Sequence, residues 1–217
     1  LAKREFEQVL AINERRFGPE HPRTADVLNN LGAIAYAMND IDASEGYHRR
    51  CLAIWQKAYG DEHPDIATAY NNLATIAGAR GQIEASLAAH RDALRIRMAA
   101  FGPVHSSVAM SHYNIGLNLE GEAELVPALE HLTTAAEVFA KVHGDKHQRV
   151  AAARTGLGRV LVGLGRVDEA MPHLEAALAV RSAEEGDPSD LGETKFALAM
   201  ALVTTEPARA RKLANEA

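Results

Sequence analysis

Residues 60–74 read G-D-E-H-P-D-I-A-T-A-Y-N-N-L-A, and this stretch decides the fold. Gly60 is a helix stop, and Pro64 beside Asp65 is a first-turn proline, where its missing N–H costs nothing. Beyond it Ile66, Ala69, Tyr70, Leu73, Ile76 and Ala77 fall at i, i+3, i+4 and i+7, one apolar face of a helix. After Gly81 a second apolar run holds Ile83, Leu87, Ala88, Leu94 and Ile96 and ends near Phe101. The unit is therefore helix A, a tight turn, helix B and a five-residue link. Helices of roughly 16 residues would be about 24 Å long. No strand pattern interrupts them.

Working outward, the same unit recurs. Gly18, Gly60, Gly102, Gly144 and Gly186 are evenly spaced with a period of 42, and the links they open read G-P-E-H-P, G-D-E-H-P, G-P-V-H-S, G-D-K-H-Q and G-D-P-S-D. Leu31, Leu73, Ile115 and Leu157 share a phase, each followed by a small residue: Gly32, Ala74, Gly116 and Gly158. Two further phases hold only small residues, Ser44, Ser86, Ala128 and Ala170, then Cys51, Ala93, Ala135 and Ala177. Helices cross closely only where side chains are short, so the Gly32 phase is expected to face these small residues on helix B, with large residues interdigitating between them. An unslipped period with matched sizes at several phases is the mark of a repeat array.

The Leu-Gly pair on the first helix and two small positions on the second resemble the tetratricopeptide repeat. The period of 42, the G-x-x-H-P link and the N-N-L in helix A resemble its kinesin-light-chain type. The fold implied is all-α, a right-handed superhelical solenoid of antiparallel helix pairs. It divides into a half repeat at 1–17 (helix B alone), full repeats at 18–59, 60–101, 102–143 and 144–185, and a degenerate repeat at 186–217. This last unit lacks the histidine and needs a one-residue deletion to bring Leu198 and Ala199 onto the Leu-Gly phase. It is expected to close on a short helix near Ala208–Glu216. Its wording resembles the closing unit of tetratricopeptide tails on bacterial serine/threonine kinases, although the chain holds no H-R-D, D-F-G or glycine-rich phosphate loop. In residues 1–17, Ala2, Val9, Leu10 and Ile12 match the phases of Ser44, Cys51, Leu52 and Ile54. The chain opens on Leu1 inside this helix, which suggests a piece of something longer. Phe6, Val9, Leu10 and Ile12 spread over more than one side and are expected to fray or to meet another copy. Pro127, after G-E-A-E-L-V, is expected to shift the start of the third B helix.

Composition narrows the chemistry. The 217 residues are 47% hydrophobic and 24% charged, enough apolar content for a core and too little charge for disorder. With 23 Lys and Arg against 29 Asp and Glu the net charge is −6, which argues against a nucleic-acid surface. No run reaches the roughly 18–20 apolar residues of a membrane span. With no signal peptide, the expected location is cytoplasmic. The single cysteine, Cys51, excludes an internal disulfide and sits where its equivalents are alanines, so it reads as a core residue. His21, His63, His105 and His147 recur once per repeat, about 9–10 Å apart if the helices stack normally, too far for one metal ion. They read as ties between link and helix A. His48 and His90 share a helix-B phase and obey the same distance argument, and His143 with His147 lacks a third ligand. Acid pairs such as Asp61 with Glu62, or Glu184 with Glu185, lie in links and read as solvated. No catalytic, cofactor or metal site is expected.

The informative residues lie on helix A, whose free face lines the groove of a stacked helix-pair array. Around the Leu-Gly pair these are Asn29 and Asn30, Asn71 and Asn72, and Tyr113 and Asn114, then Thr75 and Arg159 one turn on, with Tyr36 and Glu120 beyond. Asp26, Thr68 and Met110 lie one turn earlier. Asparagine is a poor mid-helix residue, so five of them need a reason. One reason is ligand binding, since an amide offers the donor and acceptor that a peptide backbone needs. The other is a hydrogen bond between adjacent A helices. In the resembled family, asparagines at matching phases contact peptide backbone, while carboxylate clamps add bases that this groove lacks apart from Arg159. Residues 102–143 hold one base, Lys141, against five glutamates, an acidic stretch suited to a basic ligand. The function expected is a protein-interaction scaffold holding a peptide or partner domain in the groove. The alternatives are a regulatory tail of a larger signalling enzyme and self-association through the exposed N-terminal helix.

Overall fold

The computed structural model describes residues 2–183 and 187–217, so Leu1, Glu184, Glu185 and Gly186 lie outside the described residues. The described residues form helices without strands. The A helices are α2 (Pro22–Ala37), α4 (Pro64–Ala79), α6 (Ser106–Gly121), α8 (Gln148–Gly163) and α10 (Pro188–Leu202). The B helices are α1 (Ala2–Phe17), α3 (Ile41–Tyr59), α5 (Ile83–Phe101), α7 (Leu125–His143), α9 (Val167–Ala183) and α11 (Pro207–Asn215). From α2 to α9 the helix starts keep the sequence period without a slip. The chain divides into two compact units, Leu1–Gly102 and Pro103–Ala217.

The A–B turns of the four full repeats share one chemistry. The turn residue between the helices takes a positive φ, at Asn39 (60°), Gly81 (71°), Ala123 (60°) and Gly165 (75°). The next N–H then reaches back to a carbonyl in the last turn of helix A: Asp40 to Ala35 (2.8 Å), Gln82 to Ala77 (2.9 Å), Glu124 to Leu119 (2.9 Å) and Arg166 to Leu161 (2.8 Å). The turn thus fixes where helix B begins, which corrects the expectation for Pro127. Helix α7 starts at Leu125, in register with α3 and α5, because Pro127 is its third residue and has no intrahelical bond to lose.

The small phases pack as expected in part. Cys51, Ala93, Ala135 and Ala177 are fully buried. Ser44 and Ser86 do more than stay small: their hydroxyls donate to the carbonyls of Gly32 and Ala74, each at 2.8 Å. The glycine itself, however, faces a large side chain. A Cβ on Gly32 would stand 2.4 Å from the His48 ring, on Gly116 2.6 Å from Leu132 Cγ, and on Gly158 2.4 Å from Leu174 Cδ2. The helices therefore close on a ring or a leucine filling the gap left by the missing methyl. On α1, Val9 and Ile12 are 43% and 55% exposed, while Phe6 and Leu10 are half-buried. In the last repeat Leu198 and Ala199 are buried, as the one-residue deletion requires, and α11 begins one residue earlier than expected.

Candidate functional site

The A-helix face of unit 1 gathers most of the residues singled out in the sequence. Asn29 and Asn72 meet, Asn72 Nδ2 donating to Asn29 Oδ1 at 2.8 Å, with His48 Nδ1 3.5 Å from the same amide nitrogen. Here the amides do link adjacent A helices. Asn30 is exposed, and Asn71 is half-buried, its carbonyl accepting from Thr75 Oγ1 at 3.1 Å. Tyr36, Asn72 and Thr75 come together around a hollow of about 140 Å³, completed by Ala33, Ser44, His48 and Ile76. Its polar walls are already engaged: Ser44 with Gly32, Asn72 with Asn29, Thr75 with Asn71. Burial, then the neighbouring Asp65 carboxylate, pushes up the pKa of Asp26 at the start of the same face.

Unit 2 uses the matching phases differently. Tyr113 and Asn114 are half-buried, and burial raises the Tyr113 hydroxyl pKa. The Asn114 carbonyl accepts from Asn118 Nδ2 at 2.9 Å. Arg159 is engaged: it makes two bonds to Glu120 (2.7 and 2.6 Å) and also pairs with Glu193. The Glu120 bonds hold its pKa above the usual arginine value. Sequence reasoning passed over Phe196, Met200 and Val203 at the end of α10, which are 55%, 52% and 58% exposed. The deletion that aligned Leu198 and Ala199 also puts these three on the phases of Asn29, Ala33 and Tyr36, so the signal was there to be read.

The histidines resolve into distinct roles. His21, His63, His105 and His147 cap the A helices, each Nδ1 accepting the backbone N–H two residues on (3.2, 3.3, 3.1 and 3.0 Å). His48 and His90 are buried, and desolvation pushes their pKa down to about 4. His112 and His131 meet with Nδ1 atoms 3.0 Å apart, a pair that occurs in one repeat and so left no periodic trace. Among the described residues no group of three or more His, Cys, Asp or Glu could hold a metal ion. Burial raises the pKa of the Cys51 thiol well above its usual range, an inert core cysteine. No described helix is long and apolar enough to cross a membrane.

Helix pairs recurring at a constant period, closed by a leucine-small pair against a large side chain, define a tetratricopeptide-type solenoid. The family description "Tetratricopeptide repeat" matches residues 1–54, 29–99 and 107–183, and the chain belongs to that family. Solved structures share the fold. BtubC (BKLC) from P. vanneervenii superposes with a TM-score of 0.81 at 22% identity, over 99% of this chain and 85% of that one. A kinesin-light-chain candidate from Podosopora anserina with nearly identical TPR-like repeats gives 0.73 at 20% identity, over 90% and 94%. Aspartyl phosphate phosphatase F from Bacillus subtilis gives 0.75 at 19% identity, over 89% of this chain and 49% of that one. At these identities the likeness is one of fold. No curated protein matches the sequence.

Proposed function

We propose that the chain is a non-catalytic interaction scaffold whose A-helix face holds an extended segment of a partner protein. The observation that carries this reading is the hollow in unit 1, where Tyr36, Asn72 and Thr75 surround a space of about 140 Å³. Cavities of about this size accept a group as large as benzene, so this one suits a single side chain. Because Ser44, Asn72 and Thr75 are already hydrogen-bonded within the chain, an aliphatic or small aromatic side chain fits it better than a polar one. Asn30, exposed on α2 about one helical turn before Ala33 of the hollow's wall, offers an amide donor and acceptor to the segment's backbone.

A peptide array probed with the protein and its variants tests this. Asn30→Ala combined with Tyr36→Ala removes one amide and one wall of the hollow without touching the Asn29–Asn72 bond. The expected loss is on the order of 1 kcal/mol per hydrogen bond removed plus the apolar contact with Tyr36, about tenfold or more in affinity. Glu84→Ala on α5, an exposed B-helix position, should be silent. Equal retention of peptides by all three well-folded proteins would refute the reading.

A further inference from the structure

The link between α7 and α8 breaks the repeat pattern at several positions at once, and the changed side chains lie together. The residue that closes helix B is Phe17, Tyr59 or Phe101 in the earlier repeats, and His143 here. Phe17 packs on His21 (ring centroids 5.1 Å) and Tyr59 on His63 (4.4 Å); His143 takes the same place, stacked on His147 at 4.3 Å. The third link residue is Glu20 and Glu62 in the first two links, each paired with a base, Lys57 and Arg95; in this link it is Lys146. Where earlier A helices open on Pro22 and Pro64, α6 opens on Ser106. The Ser106 hydroxyl lies 2.8 Å from His143 Nε2 and 2.8 Å from an Arg149 guanidinium nitrogen.

Arg149 donates to Ser106 Oγ, and the same oxygen shares a second hydrogen bond with His143 Nε2, whose direction depends on the His143 tautomer. His147 Nδ1 accepts the Arg149 backbone N–H at 3.0 Å, which leaves its proton on Nε2. Neither Lys146 nor Arg149 forms an ion pair among the described residues, and the acid of the link, Asp145, is taken by Arg154 at 2.5 Å. His143, Lys146 and His147 line one open hollow with Asp145. Partial burial, then His147 and Arg149, lowers the His143 pKa, as expected beside unneutralised positive charge.

We propose that this link binds a dianionic phosphate group, either a phosphorylated side chain of a partner or free phosphate. Two permanent cations without carboxylate partners supply the charge. The ammonium of Lys146, the remaining guanidinium N–H groups of Arg149 and the Nε2–H of His147 supply more donors than a carboxylate can use, whereas a phosphate monoester presents three terminal oxygens to them. A bound phosphate favours the protonated form of His143, so the His143 pKa rises on binding.

The test follows the His143 and His147 ring resonances by NMR during titration with inorganic phosphate, with a phosphoserine peptide and with its unphosphorylated twin. Saturable shifts with a phosphorylated ligand and none with the twin are expected, together with a His143 pKa that rises on binding. Tighter binding of the peptide points to a partner side chain, and equal or tighter binding of inorganic phosphate to the free ion. Lys146→Glu with His143→Tyr, which restores the pattern of the second link, should weaken binding at least tenfold at unchanged helicity. Arg149→Gln should do the same with the histidines in place. Absence of shifts with both phosphorylated ligands, or undiminished affinity in these variants, would overturn the proposal.

Discussion

At the scale of single residues, buried histidines occupy positions that two later repeats fill with leucine. His48 and His90 fall on the phase of Leu132 and Leu174, and each is 2% exposed with a pKa near 4. The unfolded chain binds their protons below about 6.5 whereas the folded chain does not until about 4. The unfolded state therefore holds more protons across that window, and stability falls as pH drops through it. At pH 5 the loss is about 2 kcal/mol for each ring, about 1.4 kcal/mol per pH unit below 6.5. Thermal melts at pH 7.5 and pH 5 should show a smaller acid loss in a His48→Leu, His90→Leu protein than in the parent; identical losses would mean that neither ring matters. The glycines opposite this phase make a second expectation. Gly158→Ala drives a methyl into Leu174 and should cost about 1–3 kcal/mol by denaturant unfolding. That Gly32, Gly116 and Gly158 mark close approach was legible in the sequence; that the approaching group is large was not, because size matching at a phase does not say which phase faces it.

At the scale of elements, the repeat period placed nearly every helix, since the turn is set by one left-handed residue and one backward hydrogen bond. Sequence could find Gly81 and Gly165 in that role, but Asn39 and Ala123 hide it. Ala123 holds φ at 60° with a Cβ, a conformation that costs an alanine roughly 1 kcal/mol. Ala123→Gly should recover part of that, about 0.5–1 kcal/mol, read as a higher melting temperature; an unchanged or lower one would show that the turn bears no strain there. Pro127 misled for the same reason: its effect depends on its place in the first turn, which the preceding turn decides. The link histidines were legible as ties to helix A, and they cap it whether Pro22 or Pro64 follows, or Ser106 or Gln148.

At the scale of the whole molecule, periodicity carried the family and the all-α solenoid class, because an array repeats its packing solution and so repeats its residue sizes. What a surface binds leaves no such trace. The A-helix face changes from repeat to repeat: amides paired across Asn29 and Asn72, an Arg159 held by Glu120 and Glu193, and an exposed apolar row at Phe196, Met200 and Val203. Those differences depend on which neighbour each side chain meets, and a period predicts sameness. The most direct measurement of the central claim is NMR mapping of a peptide captured on the array. If the A-helix face binds, the side-chain amides of Asn30 and Asn72 and the ring of Tyr36 shift saturably, while the α5 surface at Glu84 and Arg91 stays unmoved. Shifts confined to the α3 and α5 surface, with Asn30, Asn72 and Tyr36 unchanged at saturation, would contradict it.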